Sequence, residues 1–168
     1  MVAFTYRMPA GIPGDINRAS AALVEPGVIT PVGTSGAPTA YGIPLVVDAT
    51  AGNVGNMRTV QAADTNVYGL LARPFPTGGS QDGLNVSTPP SQGTCDVMVR
   101  GYMTVLLSGV AAATKGAPVF IWTATSASNH PQGGFEAVAS SGSTLALPSS
   151  YFMGPADASG NVEIGFRI

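Results

Sequence analysis

The stretch Asp96-Val-Met-Val-Arg-Gly-Tyr-Met-Thr-Val-Leu-Leu107 decides the fold. Val97, Val99, Met103 and Val105 share one parity; Arg100, Tyr102 and Thr104 share the other. Successive side chains of an extended chain point to opposite faces, so this period of two marks a half-buried strand. Gly101 falls in the middle of the apolar set. A glycine there predicts a bulge or a close approach of another backbone. The same alternation returns in Asn161–Ile168, where Val162, Ile164, Phe166 and Ile168 alternate with Asn161, Glu163, Gly165 and Arg167.

Outward from these two strands, shorter ones are expected at Ala40–Asp48, Asn56–Gln61, Val67–Ala72, Pro118–Thr123, Phe135–Ala139 and Tyr151–Gly154. Pro44 predicts a sheet edge for the first, because proline has no N–H to give to a neighbour. Lys115-Gly116 and Asp157-Ala-Ser-Gly160 read as turns. Residues 74–94, rich in Pro, Gly, Ser and Thr, read as one long loop. Helical periodicity is almost absent. Short strands separated by turn signals predict an all-β fold, an antiparallel β-sandwich or a jelly-roll-like small barrel.

Residues 1–38 differ from the rest. Pro stands at 9, 13, 26, 31 and 38 and Gly at 11, 14, 27, 33 and 36, which disfavours regular pairing. One short helix is expected over Arg18–Glu25, capped by Asn17 and ended by Pro26-Gly27. The remainder reads as an extended N-terminal arm, with residues 39–168 as a single β domain. The arm carries Phe4, Tyr6, Arg7, Met8, Ile12 and Ile16, which are not linker residues. They are its candidate contacts, either with its own domain or with another subunit.

Composition narrows the function classes. Gly (22) and Pro (14) are too frequent for a helical bundle. Mean hydropathy of +0.27 and a net charge of −2 argue against disorder. The six Arg and single Lys are scattered, so no basic stripe is present to neutralise phosphates and no nucleic-acid partner is expected. Only 10% of residues are charged, far below the roughly 25% of an ordinary soluble domain. Such a surface suits a protein partly covered by other subunits. Cys95 is alone, so no intramolecular disulfide is expected. The first ten residues lack the pattern of a signal peptide, and no apolar run is long enough to span a bilayer. Asn85-Val-Ser matches a glycosylation sequon and is read as loop. Synthesis in the cytoplasm, with no membrane partner, is the expectation.

No set of residues makes a convincing catalytic or metal site. Cys95 lies 35 residues from the only histidine, His130, and reads as an apolar filler. His130 has no nucleophile-elbow serine to serve and reads as a loop residue. The carboxylates are dispersed; Asp157-x-Ser-Gly-Asn resembles part of a calcium loop but lacks the spaced acidic ligands, so a hairpin turn is expected. Phosphate-loop spacing is absent. Trp122, Tyr151 and Phe152 are candidates for a sugar platform, against a core role for Trp122. No enzyme activity, cofactor, metal or small-molecule substrate is expected.

Longer stretches carry a resemblance. Met8-Pro-Ala-Gly-Ile-Pro-Gly-Asp-Ile-Asn-Arg18, Val67-Tyr-Gly-Leu-Leu-Ala-Arg-Pro-Phe75, Val99-Arg-Gly-Tyr-Met-Thr-Val105 and Lys115-Gly-Ala-Pro-Val-Phe120 resemble tailed-bacteriophage head proteins of the structural cement, or capsid decoration, type. The ending Phe152-Met-Gly-Pro-Ala-Asp-Ala-Ser-Gly-Asn-Val-Glu-Ile164 is similar to them as well. The resemblance implies a virion protein, made in the host bacterial cytoplasm, that binds the exterior of an icosahedral head. Its implied partners are the major capsid protein and itself, as homodimer or homotrimer. The alternative is another virion component: a tail, fibre or receptor-binding module.

Overall fold

The computed structural model describes residues 11–29, 36–49, 54–74 and 88–168. Nine strands follow one 3-10 turn, Ala19–Ala21. They are β1 (Leu23–Ile29), β2 (Pro44–Val47), β3 (Met57–Thr59), β4 (Gly69–Ala72), β5 (Gly93–Leu106), β6 (Pro118–Trp122), β7 (Phe135–Glu136), β8 (Thr144–Phe152) and β9 (Asn161–Phe166). Among the described residues there is no α-helix, so the fold is all-β as expected.

Strand β5, 14 residues long, belongs to two sheets. Its first half, Gly93–Arg100, pairs with β1 on one side and, over Asp96–Met98, with β4 on the other. β4 pairs with β2, β2 with β3, and β3 returns to β1 through the parallel bridge Ile29↔Met57. This ring is a closed five-stranded barrel. The second half of β5, Gly101–Leu106, pairs with β9, which leads to β8, β6 and β7. An isolated parallel bridge, Leu107↔Phe135, brings β7 back to the end of β5. The small barrel is thus found. A jelly-roll path is not established by pairings that run through a strand common to two sheets.

The shared strand changes its inner side between Val99 and Met103. Val97 and Val99 pack with Ile29, Leu45, Met57 and Leu71, so every strand of the ring contributes to this cluster, the barrel interior. Met98, Met103 and Val105 instead join the main core between barrel and second sheet, with Leu70, Ile121, Phe135, Phe152, Ile164 and Phe166. The expectation that Val97, Val99, Met103 and Val105 line one face is therefore corrected. A strand flips its buried parity only where the ladder is interrupted. The interruption lies at Val99, where Leu23 faces Arg100 and Val24 faces Met98; just beyond it Gly101 takes φ 142°, and a Cβ there would lie 2.9 Å from Ala22 Cα. The bulge predicted at Gly101 therefore lies two residues earlier, at Val99, while the close approach falls at Gly101 itself.

The segment before β1 is sewn into this junction. Gly14 N–H donates to Thr104 O (2.9 Å), Thr104 N–H to Asp15 O (3.0 Å) and Asn17 N–H to Tyr102 O (3.0 Å). Arg73 N–H donates to Gly14 O (2.9 Å), tying β4 to the same point. The helix expected over Arg18–Glu25 is not formed. Leu23–Ile29 pairs with β5 along its whole length, and only the 3-10 turn Ala19–Ala21 is helical. Pro26-Gly27 reads as a helix terminator, yet it sits mid-strand. Gly27 faces the barrel, where a Cβ would stand 3.1–3.2 Å from Val97, Cys95 and Met57 side chains. Pro44 does not mark an edge either: β2 lies between β3 and β4, and Pro44 opens the strand, a position that spares its missing donor.

β8 is longer than expected because a bulge hides it in the sequence. Its register with β6 jumps from Phe120↔Ala146 to Pro118↔Tyr151, and Ser149 takes φ 50°. The bulge receives the end of the chain: Arg167 N–H donates to Ser150 Oγ (3.2 Å) and Ile168 N–H to Ser149 O (3.0 Å). The Arg167 guanidinium crosses to the barrel and donates to Val67 O (2.6 Å) and Tyr68 O (3.0 Å).

Gly101→Ala should destabilise the protein by about 2 kcal/mol or more, since it combines a disfavoured φ with a clash against backbone. Gly116→Ala, at φ 82° but with open space around its Cβ, should cost only about 1 kcal/mol. Denaturant melts of the two variants check the difference; equal losses would remove Gly101 from its pivotal role.

Candidate interaction surface

The polar side chains largely satisfy one another. Arg58 donates two 2.7 Å bonds to Asp64 and stands 3.8 Å from the buried Asp48. Burial pushes the Asp64 carboxyl up, but the bonds from Arg58 and from the Gln61 N–H outweigh it and hold it below its ordinary value. Arg18 grips Glu163 with both guanidinium arms (3.2 and 3.3 Å) and lies 4.1 Å above the Tyr102 ring. Tyr102 and Tyr151 flank Gly165 across three strands, so two rings cover a position with no side chain of its own. Glu25, on the barrel side of β1, accepts a short hydrogen bond from the Tyr68 hydroxyl.

Several large apolar side chains face outward. On β1, Leu23, Val24 and Val28 are exposed. Val47 ends β2 and Val54 stands in the following turn, 75% exposed. The register Ile29↔Met57↔Val47 puts the ends of β1 and β2 and the start of β3 together, so Val28, Val47 and Val54 mark one end of the barrel. Leu106, Val110 (88% exposed) and Val138 (60%) follow the other end of β5 and the short β7. The two groups lie toward opposite ends of the 14-residue β5.

The sequence candidates fall as follows. Phe4, Tyr6, Arg7 and Met8 lie outside the described residues. Ile12 is half exposed, and its N–H meets the Asp15 carboxylate at 3.3 Å. Ile16 is bridged to Met103 and packs on the main core, so it anchors the chain to its own domain. Cys95 packs at the barrel interior, eleven strand residues before Leu106, whereas His130 lies beside Gly109, beyond that end. The two lie toward opposite ends of β5, each with its own neighbours, and do not form a dyad. His130 Nδ1 is 2.8 Å from the buried Glu136 carboxylate, and its ring stacks on Trp122 at 4.5 Å. This holds the 124–134 loop over β6 and β7. The aromatic platform is not assembled: Phe152 is fully buried, and Trp122 pairs with Thr144 while Tyr151 pairs with Pro118 at the opposite end of β6. Asp157 closes a hairpin turn, accepting the N–H groups of Ser159 and Asn161 at 2.9 Å. Among the described residues no cluster of His, Cys, Asp or Glu has the make-up of a metal site, and no helix is long and apolar enough to cross a membrane.

Exposed apolar residues toward both ends of the central strand offer surface for contact with other proteins. The chain belongs to the XM1 gp53 minor capsid protein family, which it matches over residues 1–166. It is a capsid-associated structural protein of the tailed-phage type. It is similar in fold to a chain in the capsid of Myoviridae phage XM1, at TM-score 0.66 and 18% identity, covering 97% of this chain and 94% of that one. No curated protein sequence matches it.

Burial first, then the nearby Asp96 carboxylate, push the Cys95 thiol up to about 11. Against an ordinary thiol near 9.0, alkylation of the folded protein at pH 8 should be about 100-fold slower, because the thiolate is the reactive form. The rate should rise to that of a free thiol in denaturant. Fast modification of the native protein would mean that Cys95 is not packed in the barrel.

Proposed function

We propose that the chain binds the exterior of the assembled head and cements neighbouring major capsid protein subunits. The observation that carries this reading is the pair of exposed apolar groups at the two ends of one continuous strand. A clamp needs two contact sites held at a fixed separation, and β5 provides a rigid ruler between Val28–Val54 and Val110–Val138. The arm residues Phe4, Tyr6, Arg7 and Met8, with the exposed Ile12, add contact area, while Ile16 fixes the arm's root.

The mechanism is linkage. A ligand that binds only the assembled lattice stabilises it; at 100 times its dissociation constant each occupied site contributes about 2.7 kcal/mol. Repetition over an icosahedral shell multiplies that effect, and self-association as a homodimer or homotrimer raises the avidity of each attachment. Sparse charge also limits the desolvation penalty when these surfaces are covered.

The test is co-sedimentation of purified protein with expanded shells that lack it, with heating to read shell disruption. The full chain should bind and raise the disruption temperature. Removal of residues 2–10 should weaken binding at least tenfold while leaving the unfolding temperature of the isolated protein unchanged, because the stitching to β5 begins at Gly14. Val54→Lys and Val110→Lys should each weaken binding with the fold intact. Undiminished binding by all three would overturn the reading, and labelled protein found on the tail in electron micrographs would favour the tail-component alternative.

A further inference from the structure

Glu136 is a buried acid on the two-residue strand β7. Burying a carboxylate costs free energy that an apolar side chain of similar size avoids, so stability alone does not account for it. Its two oxygens serve two different loops. Oε1 lies 2.8 Å from His130 Nδ1; a carboxylate can only accept, so the imidazole donates from that nitrogen. Oε2 occupies the space that a Cβ on Gly109 would need, and Gly109 takes φ 74°. The carboxylate thus packs where residue 109 has no side chain of its own.

The two loops also meet each other here. Gly109 N–H donates to Asn129 O (2.9 Å), the neighbour of His130 in sequence. The His130 ring stacks on Trp122 at 4.5 Å, and the Trp122 indole N–H donates to Thr125 O (3.2 Å), so the 124–134 loop is held at both ends. Ser108 N–H donates to Phe135 O (2.7 Å), and Ala113 is buried in the main core. Those two residues fix the ends of the 108–112 bend. Within it stands Val110, almost fully exposed and one residue from the Gly109–Glu136 contact. An apolar side chain held out in water is rewarded only by a partner, and fixing its backbone beforehand removes part of the ordering cost of binding.

We propose that Glu136 is a positioning residue for coat binding: through His130 and Gly109 it fixes the 108–112 bend, so that Val110 is presented ready-made to the major capsid protein. The inference rests on the cement reading and supplies its Val110 contact with a support that does not itself touch the coat.

The test compares Glu136→Leu with Glu136→Gln in the full chain. Leu keeps the volume and the burial but offers His130 no acceptor; Gln keeps the shape and an acceptor oxygen. In the isolated protein Glu136→Leu should stay folded in a thermal melt, yet exchange the Gly109 amide hydrogen about tenfold faster. The emission of Trp122, the single tryptophan, should shift as the His130 stack loosens. Glu136→Gln should restore both signals. On expanded shells Glu136→Leu should bind about tenfold more weakly than wild type, and Glu136→Gln within about twofold of it. Glu136→Leu combined with Val110→Lys should bind no more weakly than Val110→Lys alone, because a residue that acts through another adds nothing once the other is gone. Should Glu136→Leu not fold, His130→Phe, which keeps the stack and removes the donor, takes its place with the same expected pattern. Unchanged exchange and emission, full shell binding by the folded variant, or losses that add in the double variant would each overturn the inference while wild-type binding leaves the cement reading standing. If the wild-type protein itself does not bind shells, the cement reading falls and the inference falls with it.

Discussion

Everything in this fold depends on one strand serving two cores. β5 gives Val97 and Val99 to the barrel interior and Met98, Met103 and Val105 to the core beyond it. A flat strand cannot do this, because its side-chain period is fixed at two. The register slip at Val99 resolves the conflict, and Gly101 just beyond it takes a backbone conformation that a side chain would resist, with Ala22 in the space a side chain would need. The junction is then braced from both edges. Residues Gly14–Asn17 pair on one side of β5 and β9 on the other, while Arg167 reaches from the end of β9 to the barrel carbonyls of Val67 and Tyr68.

This arrangement explains how so few charges suffice. Polar and charged side chains hold turns and strands in place: Arg58 with Asp64, Arg18 with Glu163, and the Glu136 carboxylate hydrogen-bonded to the His130 ring. Carboxylates and cations spent on internal geometry leave the outward-facing positions of β1 and the loop tips to valine and leucine. A free monomer with such a surface risks association with itself. In a protein whose working state is a capsid, association is the function, and the low charge fraction and the fold have the same cause.

Much of the architecture was legible because alternation survives where a strand is half buried. β5, β6 and β9 announce themselves, and Gly101 locates the irregularity to within two residues. β1 was hidden because Pro26-Gly27 carries a local signal for a helix stop, while its real constraint is tertiary: Gly27 makes room for Met57 and Val97, residues far away in sequence. β8 is legible only at its end, Tyr151–Gly154, because the stretch before it is broken by a bulge at Ser149 that receives the C-terminal residues. The surface was the least legible part. Val54 and Val110 are no more apolar than Val60 or Val119; only the fold decides that the first two face solvent and the others are buried. Arm spacing points to Ile12 and Ile16 alike, and only the bridge to Met103 separates the exposed residue from the anchored one.

A shared strand also couples the two ends energetically. If the halves were separate domains joined by a linker, a partner bound at Val110 would stabilise only the second sheet. Here unfolding either half removes pairing edges from β5 and exposes one of its two buried faces, so neither half has an independent folded state to retreat to. Binding free energy gained at one end therefore opposes local opening at the other. For a clamp of the kind proposed above, that coupling matters more than the strength of either contact. A tight contact attached to a weak body fails through the body, and β5 ensures that the load path and the hydrophobic core are the same structure.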